Sequence, residues 1–296
     1  MNGNSTPRVL SIQSHVVSGY VGNKSATFPL QLLGFEVDVI NSVQLSNHTG
    51  YKVFKGQVLN EEDLSQLVDG LAENDLDDYT HLLTGYSRSA SFLRRIAELV
   101  KALKQKNPKL IYVCDPVLGD NGHMYVPQEL KEIYQKEIVP LADIVTPNQF
   151  ELELLTGKKV DTATELKDAI LGLHKMGPKI VAVSSCDIGD KLTSVTSTTK
   201  DNKMIKIEVP KIPASYTGSG DLFAALFLAH CYLTDNIKTS LENTINSLRD
   251  VLLNTYEHSQ GLEDPKLQRA RKIELRLIQS KKIIENPSKK LQATSF

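Results

Sequence analysis

Short apolar runs alternate with longer stretches of helical period along most of the chain. Residues 9–13, 36–41, 80–84, 110–114, 143–146 and 179–184 read as strands, because each is brief, apolar or β-branched, and bounded by turn formers. Helices are predicted at 23–33, across Leu64, Leu67, Val68 and Leu71, and at 89–106, 127–139, 150–155 and 164–176. The stretch 221–286 reads as helical throughout. Six strands interleaved with six helices call for a mainly parallel sheet covered on both faces, an α/β architecture. Two segments break this rhythm. Residues 42–56 are polar and turn-rich and predict a small β flap. Residues 191–209 alternate β-branched and polar positions, and a turn at Asp201-Asn202 makes them an antiparallel hairpin. No repeat or linker is legible, so one domain over 1–296 is expected, with 1–7 as a flexible N-terminus.

Composition narrows the partners. The 34 Lys+Arg against 35 Asp+Glu leave a formal net charge of −1, which argues against nucleic acid as the main ligand. With 41% hydrophobic residues the chain has material for a sizeable core, and dominant disorder is excluded. Cys114, Cys186 and Cys231 are too few and scattered for a disulfide framework and read as buried thiols. The first eight residues lack an apolar leader, and the run 222–229 is too short to span a bilayer, so a cytoplasmic protein without a membrane partner is expected.

In parallel sheets, ligands bind beyond the carboxyl ends of the strands. Here those ends carry Gln13-Ser14-His15, Asn41-Ser42, Gly85-Tyr86, Asp115-Pro116, Pro147-Asn148 and Ser185-Cys186-Asp187, all polar or turn-forming. The strongest feature is Thr217-Gly218-Ser219-Gly220-Asp221, directly ahead of the apolar run 222–229. Glycines permit close approach to the backbone, and the N-terminus of a buried helix attracts anions. Asp221 beside such a site suits a base that takes a proton from a hydroxyl; an ordinary N-cap by Asp221 or Ser219 is the competing local reading. No Gly-x4-Gly-Lys-[Ser/Thr] loop and no dinucleotide fingerprint is present. Asp115 and Asp120 offer carboxylates for a hard cation, or simply a turn. Asn148 and Glu151 face the same crevice, or form a capping box.

Taken together, Ser11-Ile-Gln-Ser14, Gly19-Tyr-Val-Gly-Asn23, Ser46-Asn-His-Thr-Gly50, Leu83-Thr-Gly-Tyr86, Asp115-Pro-Val-Leu-Gly-Asp120, Thr146-Pro-Asn-Gln-Phe-Glu151 and Gly218-Ser-Gly-Asp221 resemble the ribokinase-like superfamily and, within it, the pyridoxal kinases. The resemblance implies a three-layer αβα fold and ATP-dependent phosphorylation of the 5′-hydroxymethyl group of pyridoxal, pyridoxine and pyridoxamine. It makes Asp221 the base and Gly218, Ser219 and Gly220 the anion hole. It gives Ser14, Val21, Thr49 and Tyr86 to the pyridine ring. Asp115, Asn148, Glu151, Ser184, Ser185 and the stretch Ile212, Pro213 and Ala214 go to the nucleotide. Asp120 and Glu151 are implied for a water-bridged Mg²⁺, and Asp115 and Thr146 for a monovalent cation, K⁺ or Na⁺. A homodimer is implied as well. Three departures stand out: Ser219 where the superfamily has Thr or Ala, only Asn-Gly-His between Asp120 and Met124, and no match over 191–202. Two other readings compete, a hydroxymethylpyrimidine kinase of the same superfamily and a nucleotide-binding relative without catalysis.

Overall fold

The computed structural model describes residues 6–189, 191–262 and 269–296. Residues 1–5 of the expected flexible N-terminus, and 263–268 of the long helical expectation, lie outside the described residues. The first half runs β1 (Arg8–Val16), α1 (Asn23–Leu32), β2 (Glu36–Leu45), β3 (Gly56–Val58), α2 (Glu61–Glu73), β4 (His81–Thr84), α3 (Ala90–Lys106) and β5 (Ile111–Cys114). It continues with β6 (Gly119–Asp120), β7 (His123–Met124), α4 (Glu129–Ile133), β8 (Ile144–Val145), α5 (Gln149–Thr156), α6 (Ala163–His174) and β9 (Ile180–Ile188). The last part is β10 (Lys191–Thr198), β11 (Lys203–Val209), α7 (Ser219–Thr234), α8 (Ile237–Gln260), α9 (Arg269–Lys272), α10 (Lys281–Glu285) and β12 (Thr294–Ser295).

Ten strands make one sheet, ordered β12-β11-β10-β9-β8-β5-β4-β1-β2-β3. The six central strands, β9 to β2, pair parallel; β3 and β10–β12 extend the edges antiparallel. Successive side chains point to opposite faces. Leu10, Ile12 and Leu82 pack on Phe92 and Ile96 of α3, while Val9 and Leu83 pack with Phe223 and Phe227 of α7 on the other side. The result is the expected three-layer αβα fold. Helix α7 is apolar all round because it is enclosed: its Leu222 and Leu226 meet Val251 of α8 and Leu275 and Leu277 of the C-terminal segment.

Five local outcomes differ from the sequence reading. Strand β1 runs on past Gln13 to Val16, with an irregular register against β2 between Gln13 and His15. Strand β9 runs on to Ile188, and its register against β10 shifts where Thr193 pairs with Cys186 and Val195 with Val183. Ser184 and Ser185 therefore form a bulge in β9 opposite Ser194, and Ser14 stands opposite a bulge of Ser42 and Val43 in β2, so all three belong to irregular stretches of strand rather than to loops. The 127–139 stretch is not a plain α-helix: α4 passes into a π turn at Tyr134–Ile138 and a 3₁₀ turn at Val139–Leu141. Pro140 has no N–H to continue the ladder, so the register changes just ahead of it. Residues 42–45 belong to β2 and pair with β3, so 46–55 alone projects from the sheet edge. The hairpin β6–β7 was not anticipated; its turn places Asn121 at φ 49° and Gly122 at φ 80°.

Candidate active site

Helix α7 begins at Gly218, which sits at φ 83° with no side chain capping the helix. A Cβ there would lie 2.0 Å from the Tyr20 carbonyl oxygen. Glycine is thus required for the β1–α1 loop to pack against the helix start. Ser25 Oγ donates to the Gly218 carbonyl at 2.9 Å, fastening α1 to the same turn. Asp221 reaches away from its own helix and accepts the Gly22 N–H at 2.7 Å. The capping reading of Asp221 and Ser219 therefore fails. Burial pushes the Asp221 carboxyl up, partly offset by the Gly22 hydrogen bond. Gly220 is exposed, and nothing lies within 4 Å of where its Cβ would stand. The first turn thus presents backbone to an open cleft.

A second group gathers at the ends of β5 and β8. Asp115 is buried at 5% exposure, and burial with the charges of Glu151 and Asp221 holds its carboxyl well above the usual range. Thr146 stands beside it, with its Oγ1 buried. Glu151 accepts the Leu118 N–H at 3.0 Å and the Asn148 N–H at 2.9 Å. Asn148 Oδ1 accepts the Glu151 N–H at 2.9 Å, and its Nδ2 donates to the Gly119 carbonyl at 2.8 Å. The capping box is real, and the same two side chains also hold the 118–119 backbone. Burial pushes Glu151 up to about 8. Asp120 is half-buried, raised by burial, and accepts both the backbone N–H and the Nδ2 of Asn121. Asp115, Asp120 and Glu151 do not form a ready-made group of three metal ligands among the described residues.

Ser14, Val21 and Tyr86 lie on the other side of Asp221's loop. A Cβ on Gly22 would fall 2.4 Å from Ser14 Oγ, so Ser14 packs directly on the residue that holds Asp221. Val21 is buried; Tyr86 is half-buried, with its phenol raised by burial and its carbonyl accepting from Ser42 Oγ at 2.7 Å. Ser184 N–H donates to the Pro147 carbonyl at 2.9 Å, joining the β9 bulge to the loop before α5. Thr49 is exposed on the flap, and Ile212, Pro213 and Ala214 form a tight turn closed by Ala214 N–H to the Ile212 carbonyl at 2.8 Å. These last residues stay on the rim, outside the hydrogen-bonded network around Asp221. Sequence reasoning missed Ser25 and Glu274. Both act across more than 190 positions, as Ser25 on Gly218 and Glu274 on Tyr20 show, and no local pattern marks them.

Comparison with known proteins agrees with this fold. Residues 38–264 match the phosphomethylpyrimidine kinase family. Pyridoxal kinase of Bos taurus is 47% identical over 309 residues, spanning 97% of this chain and 98% of its own. The chain belongs to the pyridoxal kinase family. Pyridoxal kinase of Arabidopsis thaliana is 48% identical over 297 residues, spanning 98% of this chain and 95% of its own. Among solved structures, pyridoxal kinase from Leishmania donovani in complex with ADP and pyridoxine is similar at a TM-score of 0.89 and 36% identity, with 98% of this chain and 99% of that one covered.

Proposed function

We propose that this chain transfers the γ-phosphoryl group of ATP to the 5′-hydroxymethyl group of pyridoxal, pyridoxine and pyridoxamine. The observation that carries the reading is Asp221: a carboxylate raised by burial and fixed by the Gly22 N–H at the open first turn of an uncapped helix. A base with a raised pKa accepts a proton from an alcohol more readily than an ordinary aspartate does. Asp221 orients the primary alcohol and takes its proton as the phosphoryl group transfers. The amides of residues 218–220, with the helix dipole, stabilise charge on that group. Phosphoryl transfer needs positioning and charge stabilisation more than covalent participation by the protein. Ser14, Val21, Tyr86 and Thr49 hold the ring, and the flap excludes water. Asn148, Ser184, Ser185 and 212–214 take the nucleotide.

The donor set fits cations. Burial raises Asp115, Asp120 and Glu151, the charges of Glu151 and Asp221 raise Asp115 further and that of Asp120 raises Glu151, so positive charge beside them is favoured, with the buried Thr146 Oγ1 next to Asp115 as a further oxygen donor. Asp120 and Glu151 would hold Mg²⁺ through water, and Asp115 and Thr146 a monovalent cation, K⁺ or Na⁺. When bound, Mg²⁺ supplies neutralisation of the phosphate oxygens. We place the activity in a single kinase domain, a homodimer, in the cytoplasm.

Asp221→Asn should lower kcat about 10²–10⁴-fold with the vitamer KM largely kept. An Asn variant that turns over like the wild type overturns the mechanism. Pyridoxal and hydroxymethylpyrimidine compared side by side separate this reading from the pyrimidine kinase that the matched family name favours; turnover of neither supports the non-catalytic one.

A further inference from the structure

Glu274 lies in the C-terminal segment, between α9 and α10, and its carboxylate is largely enclosed, at 15% side-chain exposure. Its neighbours Leu275 and Leu277 are fully buried against Leu222 and Leu226 of α7 and Val251 of α8, so the segment is anchored to the core. From there the carboxylate reaches two separate loops. Oε2 accepts the Tyr20 N–H at 3.0 Å. Oε1 accepts the Tyr51 hydroxyl at 3.1 Å and stands 3.3 Å from His48 Nε2. His48 Nδ1 accepts the Gly50 N–H at 3.1 Å, which leaves Nε2 to carry the ring proton toward Glu274. The His48 and Tyr51 rings meet edge-on at 4.8 Å. Gly19 is at φ 95°, and a Cβ there would fall 2.3 Å from the carboxylate, so the chain has left out a side chain to let Glu274 in.

Tyr20 is followed by Val21 and Gly22, the wall of the ring site and the N–H that holds Asp221. His48 and Tyr51 bracket Thr49. We infer that Glu274 is a positioning residue that locks the β1–α1 loop to the flap, so that the two halves of the vitamer site face each other in one fixed arrangement. The inference rests on the proposed activity and deepens it. Glu274 touches neither the proposed nucleotide side nor Asp221, so its loss should fall on the vitamer. Burial and the Glu274 charge push the Tyr51 phenol up to about 12, consistent with a proton held between the two.

The test is steady-state kinetics of the full chain with pyridoxal and ATP varied separately, alongside thermal unfolding. Hydrogen bonds to a carboxylate are strong enough that Glu274→Ala should raise the pyridoxal KM about ten- to a hundredfold. The ATP KM should stay within about twofold. Glu274→Gln keeps one acceptor oxygen and the volume, and should recover much of the loss. Tyr51→Phe removes a single contact and should raise the pyridoxal KM by about three- to tenfold, which keeps the test decisive if the alanine variant does not fold. A pyridoxal KM unchanged in Tyr51→Phe, or vitamer and ATP constants rising together, overturns the positioning role while leaving the activity intact. A wild-type protein that does not phosphorylate pyridoxal overturns the activity reading and this inference with it.

Discussion

Two glycines separated by one residue should behave in opposite ways when each is replaced by alanine. At Gly218, a methyl meets the Tyr20 carbonyl oxygen at 2.0 Å and the residue must keep φ 83°. The left-handed backbone costs alanine about 1–2 kcal/mol. Pushing the β1–α1 loop aside also breaks the Gly22 N–H bond to Asp221, worth about 1.5–3 kcal/mol for a charged acceptor. Together these remove about 3–5 kcal/mol from a total stability on the order of 5–15 kcal/mol. At Gly220 the methyl meets nothing within 4 Å, and alanine in a helix is favoured over glycine by about 1 kcal/mol at most. Gly220→Ala should therefore unfold at the wild-type temperature or a degree or two above it. Its methyl nonetheless occupies the space in front of the first turn, the proposed phosphoryl site. A displacement of about 1 Å there costs about 10²-fold in rate. Urea denaturation and steady-state kinetics on both variants read the two effects separately. If Gly220→Ala keeps wild-type turnover, the open first turn is not the phosphoryl site, whatever Gly218→Ala does.

Two further outcomes follow from the carboxylates and the cap. Because burial raises the Asp221 pKa and a base works only when ionised, kcat/KM should fall as pH drops through that raised value, with the acid limb above the ordinary aspartate value of about 3.9; an acid limb at or below that value contradicts the buried-base assignment. Asn148→Ala removes a helix cap and leaves the Gly119 carbonyl without its donor, and should cost about 2–3 kcal/mol in urea denaturation. Asn148→Asp should restore the cap alone, recovering about 1 kcal/mol; equal losses in the two variants would count against the cap, and an Asp variant as stable as the wild type against the Gly119 contact.

The parallel sheet was legible because its central strands β4, β5 and β8 are buried on both faces, and runs such as 110–114 have no polar side to disguise them. Asp115, Asp120 and Asp221 were legible as candidates because they follow a strand end or open a helix beside apolar runs, where ligands of parallel sheets bind. The β6–β7 hairpin also carried a local signal, the Asn121-Gly122 pair with both residues at positive φ, and was overlooked because its strands are two residues long. What escaped local reading did so for a physical reason. A bulge is a property of two strands in register, so the polar Ser14 and Ser184–Ser185 look like loop until β2 and β10 are laid beside them. Sequence periodicity and turn chemistry settled which elements form, and which groups crowd one end of the sheet, since those depend on neighbours a few positions away. Tertiary packing alone decided that Asp221 is held by Gly22 rather than capping its own helix, and that Glu274 bridges two loops more than 200 residues upstream. Contacts between groups so far apart in the chain exist only once the core has brought their backbones together.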